Sequence, residues 1–197
     1  MQGLFCKIFD LLRCATIQYM SMTSKKIFLT GERDVGKSTI IKRFTSELDF
    51  IPAGFSTLPG DSSADGSTDH IFLIPFGTPL EEFPETPPVA IRNKKQMGYQ
   101  SFPEVFDDLG TKILMSSRGS RLIVMDELGF MESEAFAFQE AVLTCLDGKE
   151  PVLGVIKPRQ ISFLDKIRAH PEVQTIEVTV ENRNQIFELL LENFKIV

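Results

Sequence analysis

Lys25-Lys26-Ile27-Phe28-Leu29-Thr30-Gly31-Glu32-Arg33-Asp34-Val35-Gly36-Lys37-Ser38 is the stretch that decides the fold. Its first half is a short apolar run that ends at Gly31, which reads as a buried strand. Residues 37–48 then read as a helix, with Ile40, Ile41 and Phe44 on one face. The turn between them, Gly31 to Ser38, fits G-x-x-x-x-G-K-[ST] in full, in the strand–turn–helix setting that this pattern requires.

That spacing suits a phosphate chain. Gly31 and Gly36 permit backbone angles that wrap the loop closely around an anion. Backbone N–H groups and the N-terminus of the following helix then face the phosphates. The expected nucleotide-binding residues are Gly31, Glu32, Arg33, Asp34, Val35, Gly36, Lys37, Ser38 and Thr39. Lys37 brings a point charge to the β and γ oxygens. Ser38 offers a hydroxyl to Mg²⁺, the expected cofactor, which neutralises the same phosphates.

Arg121-Leu122-Ile123-Val124-Met125-Asp126-Glu127 is a second apolar run, and it ends in two carboxylates. In a doubly wound sheet both motifs lie at the carboxyl ends of strands, where ligands bind. Asp126 is then placed to support Mg²⁺, directly or through water. Glu127 is placed to orient and polarise an attacking water.

The rest of the chain alternates strand and helix. Ala53–Thr57 and His70–Phe76 read as strands, and residues 59–88 as a Gly-, Ser-, Asp- and Pro-rich loop broken by the second of them. Ser101-Phe102-Pro103-Glu104 has the form of a capping box, so a helix is expected from there to about Ser117. Gly110 inside it costs ~1 kcal/mol relative to Ala. Helices are also expected at 133–146, 160–169 and 182–194, and strands at 122–125, 152–156 and 173–180. The alternation predicts an α/β fold with a doubly wound, mainly parallel sheet and helices on both faces, and the Gly31–Ser38 pattern makes the expected unit a single P-loop NTPase domain.

The chain has 197 residues, 21 Lys plus Arg and 27 Asp plus Glu, for a formal charge of −6. One domain of this size holds a sizeable core. The acidic balance speaks against general binding to nucleic acid or anionic membranes. From Phe44 to Ile91 there is no Lys or Arg, so that segment is badly suited to phosphate. Three cysteines without a C-x-x-C pair make neither a disulfide framework nor a zinc site, and a cytoplasmic setting fits. Residues 1–24 read as an N-terminal extension, helical from the spacing of Leu4, Phe5, Ile8, Leu11, Leu12 and Ala15. Lys7, Asp10 and Arg13 interrupt that face, so it is neither a membrane span nor a signal-peptide core. The domain proper is read as 25–197.

Several strings together resemble one family. They are Gly31 to Ser38, Gly54-Phe55-Ser56-Thr57, Asp126-Glu127-Leu128-Gly129-Phe130-Met131-Glu132, Pro151-Val152-Leu153-Gly154-Val155 and Glu181-Asn182-Arg183-Asn184. The chain is similar over about residues 25–195 to the small P-loop nucleoside-triphosphatases first described from thermophiles, a family with a cancer-related animal member. The resemblance implies Mg²⁺-dependent hydrolysis of nucleoside triphosphates to diphosphate and phosphate, with Lys37 and Glu127 as catalytic residues and Ser38 and Asp126 at the metal. Glu132 matches a family acid whose role does not follow from the sequence. The chain departs from the family after Thr57, where family members carry Glu and Arg and Leu58 to His70 holds no arginine. Arg33, Arg118, Arg159 and Arg183 are the candidates for a substitute cation.

Two other classes stay open at this stage, a nucleotide or small-molecule kinase and a non-enzymatic nucleotide-binding adaptor. A GTPase is disfavoured because Asn93-Lys94-Lys95-Gln96 lacks the Asp of an Asn-Lys-x-Asp motif. An ABC-type ATPase is disfavoured because no Leu-Ser-Gly-Gly-Gln string occurs.

Overall fold

The computed structural model describes residues 25–82 and 85–194; the extension at 1–24 lies outside the described residues. The strands are β1 (Lys26–Thr30), β2 (Ala53–Ser62), β3 (Thr68–Pro75), β4 (Ala90–Asn93), β5 (Gly98–Ser101), β6 (Ile123–Leu128), β7 (Val152–Ile156) and β8 (Val173–Glu177). They form one sheet in the order β5-β4-β3-β2-β6-β7-β1-β8. From β2 to β8 every pairing is parallel. From β2 back to β5 the sheet is an antiparallel meander.

The central strands are apolar on both sides because both faces are covered. On β1, Ile27 and Leu29 face one core and Phe28 the other, as strand alternation requires. The first core receives Ile40, Ile41 and Phe44 of α1 (Lys37–Ser46) and Ile186, Phe187 and Leu190 of α5 (Arg183–Asn193). The second receives Phe138, Val142 and Leu146 of α3 (Phe136–Asp147) and Phe163, Leu164 and Ile167 of α4 (Ser162–Ala169). It also packs Ile113 and Leu114 of a helical segment, α2, built from Pro103–Val105, a π turn over Phe106–Gly110, and Thr111–Ser116. The doubly wound α/β expectation is met.

The differences have physical causes. The stretch expected as a loop begins as strand: β2 continues through Pro59 and Gly60 past a bulge to Ser62, and the chain turns at Asp65 into β3. Asp65 Oδ1 accepts from the Ser63 hydroxyl and from both the amide and the hydroxyl of Ser67. The Ser- and Asp-rich composition is therefore hairpin chemistry rather than loop. Its acids find cations in the next hairpin, where Lys94 reaches Asp69 at 2.7 Å and Lys95 reaches Asp65 at 3.5 Å. That second hairpin, β4 and β5, is too short to show a period. Asn93 to Gln96 is its turn, with the Gln96 amide donating to Asn93 Oδ1 at 2.9 Å.

The capping box at Ser101 is not used. Ser101 pairs with Ala90 inside the sheet, and α2 begins at Pro103 without a side-chain cap. Sheet pairing outcompetes a cap here, and Pro at the first helical position needs no N–H partner. Gly110 is explained by contact: a Cβ there would stand 2.6 Å from the Phe138 ring, so the glycine lets α2 lie against α3. Among the described residues, no helix is long and apolar enough to cross a membrane.

Candidate active site

β1 and β6 are parallel members of one sheet with only β7 between them. Their carboxyl ends therefore share an edge, about 10 Å apart at the usual strand spacing. The loop Gly31–Gly36 leaves β1 on that edge and enters α1. Gly31 has φ 130°, and a Cβ on it would stand 2.4 Å from the Val178 carbonyl oxygen, so the chain turns tightly against the residue that follows β8. Glu32, Arg33 and Asp34 form the exposed crest, with Asp34 at φ 63°. Gly36, at φ 103°, caps α1, and its carbonyl accepts from the Ile40 amide at 2.9 Å. No side chain caps this helix and its first turn carries no acid, so the dipole's positive end and its amides are not satisfied by protein carboxylates. Val35 packs against the core on the α1 side of the sheet, and Thr39 stands exposed in the first turn of α1.

Lys37 opens α1. Its ammonium curls back over the loop, donating to the carbonyls of Gly31 at 2.8 Å and Glu32 at 2.6 Å. Two of three ammonium protons thus brace the cradle. The Ser38 hydroxyl donates to Asp126 Oδ1 at 3.0 Å, across 88 positions of sequence. The two motifs read separately in the sequence meet at this bond.

Asp126 is 7% exposed. Burial pushes its carboxyl up to about 6; the Ser38 hydrogen bond opposes this, the neighbouring Glu127 charge adds to it, and Lys42 and Lys37 oppose it. A carboxylate held in this way gains when a cation restores what desolvation removed. The hydroxyl of Ser38 and the carboxylate of Asp126 are hard oxygen donors, the chemistry that Mg²⁺ takes. Among the described residues, no cluster of three or more His, Cys, Asp or Glu could hold a metal. Mg²⁺ bound together with substrate phosphates needs only one or two protein groups.

β6 carries one extra residue against β7 between Met125 and Leu128. Bulges re-aim side chains beside active sites. Asp126 and Glu127 both belong to this irregular end, Asp126 level with Ser56 of β2 and Glu127 half-buried. Glu127 Oε1 pairs with the Lys157 ammonium at 2.8 Å. Glu132 closes the turn after β6: one carboxylate oxygen accepts from the Gly129 amide, and the other is buried without a partner. Burial raises its carboxyl to about 7.

Of the four arginines weighed as cations, Arg183 of α5 approaches the loop from outside it, with its side chain within 4 Å of where a Cβ on Gly36 would stand. Arg33 lies on the exposed crest beside Asp34. Arg118 follows α2 and precedes β6, at the far edge of the sheet. Arg159 lies over the Phe130 ring at 5.3 Å. Lys157 escaped the sequence reading, which weighed only arginines. Its signal was its place: it is the first residue after a wholly buried strand neighbouring the Asp-Glu strand.

A glycine-rich strand-to-helix loop and a buried carboxylate joined on one edge of a mainly parallel sheet, with helices on both faces, give the fold of a P-loop NTPase domain. A family model described as NTPase matches residues 85–191, just over half the chain. The chain belongs to this NTPase family. It is 26% identical over 185 residues to nucleoside-triphosphatase THEP1 of Thermotoga sp. strain RQ2, covering 86% of this chain and 95% of that one. It is 29% identical over 179 residues to the human cancer-related nucleoside-triphosphatase, covering 83% and 93%. The crystal structure of THEP1 from Aquifex aeolicus superposes with a TM-score of 0.67 at 26% identity, over 86% of this chain and 99% of that one.

Proposed function

We propose that residues 25–197 form a Mg²⁺-dependent nucleoside-triphosphatase that releases diphosphate and phosphate. The observation that supports this reading is the Ser38–Asp126 hydrogen bond, which joins the first turn of α1 to the end of β6. The loop amides and the α1 N-terminus receive the phosphate chain. Lys37 exchanges its bonds to the Gly31 and Glu32 carbonyls for the β and γ oxygens. Ser38 and Asp126 would hold Mg²⁺, which would neutralise charge on the phosphates. Glu127 accepts a proton from the water that attacks the γ-phosphorus in line with the leaving oxygen. The names of the THEP1 and human relatives support this activity.

The substrate is a nucleoside triphosphate, and neither nucleic acid nor membrane is a proposed partner. The test is phosphate release from ATP, GTP, CTP and UTP with Mg²⁺ and no added acceptor. Steady release from at least one of them is expected. Release that appears only when an acceptor is added would make the protein a kinase, and tight binding without release would make it an adaptor.

A further inference from the structure

Lys157 is fastened to the end of β6 at three points. Its backbone amide donates to the Leu128 carbonyl at 3.0 Å. Its aliphatic stem runs across Gly129, where a Cβ would stand 2.9 Å from Lys157 Cδ and 3.3 Å from Cε. Its ammonium reaches Glu127 Oε1 at 2.8 Å. The Phe130 ring lies 5.2 Å from the same ammonium, so the cation is held against the turn after β6. The missing side chain at Gly129 thus leaves a track that leads this lysine to this carboxylate.

We propose that Lys157 is a positioning residue for hydrolysis, orienting Glu127 by occupying Oε1 so that Oε2 accepts from the attacking water. The inference rests on the role of Glu127 given above. An unrestrained glutamate at a strand end samples several rotamers, and a carboxylate turned away from the water contributes nothing. An ion pair as open to solvent as this one, 24% and 30% exposed, adds little to stability. Loss of the ammonium is therefore expected to appear in turnover rather than in folding.

The experiment measures kcat, KM and Mg-nucleotide affinity for the parent, Lys157→Met, Lys157→Gln and Lys157→Arg. Methionine keeps the stem over Gly129 and removes the charge; glutamine keeps a neutral donor and serves if the methionine variant does not fold. The expected result is a drop in kcat of about 10- to 100-fold for the neutral variants, with KM and nucleotide affinity within about twofold of the parent and with arginine restoring most of the rate. Adding Lys157→Met to Glu127→Gln is expected to cost nothing more, because the two residues act as one unit. A rise in KM at constant kcat, a faster enzyme, or independent losses in the double variant each overturns the proposal. If Glu127→Gln alone leaves kcat unchanged, the role of Glu127 has failed instead, and the two failures are distinguishable.

Discussion

The Ser38 hydroxyl donates to Asp126 Oδ1 at 3.0 Å, joining the first turn of α1 to the end of β6. Each residue is placed by its own element. Ser38 follows the lysine that opens α1, and Asp126 is the first polar residue of β6, after three buried apolar ones. The bond forms because strand order separates β1 and β6 by a single strand. Had β6 been inserted beyond β2, the same residues would lie too far apart to bond.

Lys37→Ala is expected to abolish phosphate-dependent nucleotide affinity, because the loop then loses both its point charge and the bonds that brace Gly31 and Glu32. Titration with a fluorescent nucleoside triphosphate checks this. Binding as tight as in the parent would remove Lys37 from the site.

Glu127→Gln is expected to bind Mg-nucleotide as the parent does while losing at least ~10²-fold in kcat, the low end for a positioned base. Single-turnover phosphate release separates the chemical step from binding. An unchanged chemical rate would leave water activation to another group.

Gly31→Ala is expected to lower both stability and nucleotide affinity. The backbone there is at φ 130°, and the added Cβ meets the Val178 carbonyl oxygen at 2.4 Å. Gly66→Ala is the control: it shares a positive φ, at 68°, but has nothing within 4 Å, so it carries only the strain of about 1–2 kcal/mol for a left-handed residue. Thermal melting of the two variants compares them, and equal losses would mean that contact with Val178 does not shape the loop.

Glu132 makes stability depend on pH. Its carboxyl ionises near 4.5 in an unfolded chain and at about 7 when folded, because burial disfavours the charged form. Between those values the folded state keeps a proton that the unfolded state has released. The favourable contribution is thus complete below pH 4.5 and is lost as pH rises through about 7. Glu132→Gln, which keeps an acceptor for the Gly129 amide, is expected to be more stable than the parent at pH 8, with the gap closing towards pH 5. Urea titrations at the two pH values measure this, and a gap that does not change with pH would contradict it.

Much of the site was legible because it is local in sequence. Gly31 to Ser38 carries its own turn, charge and hydroxyl in consecutive positions, and Asp126-Glu127 ends an unmistakable apolar run. The buried strand at 152–156 was legible for the same reason. What escaped depends on partners distant in the chain. Ser101 looked like a helix cap because nothing local reveals that Ala90 pairs with it. The hairpin from Ser62 to Asp69 resembled a loop because its turn residues outnumber its apolar ones. Lys157 was hidden because its track over Gly129 exists only once β6 and β7 lie side by side.

The central claim is that the phosphate loop and the acidic strand end make one Mg-nucleotide site. Nucleotide affinity measured against Mg²⁺ concentration for the parent, Ser38→Ala, Asp126→Asn and the double variant tests it most directly. Mg²⁺ is expected to tighten binding to the parent, each single variant to lose most of that gain, and the double variant to lose no more than either alone. An undiminished Mg²⁺ effect in Asp126→Asn, or losses that simply add, would contradict the account.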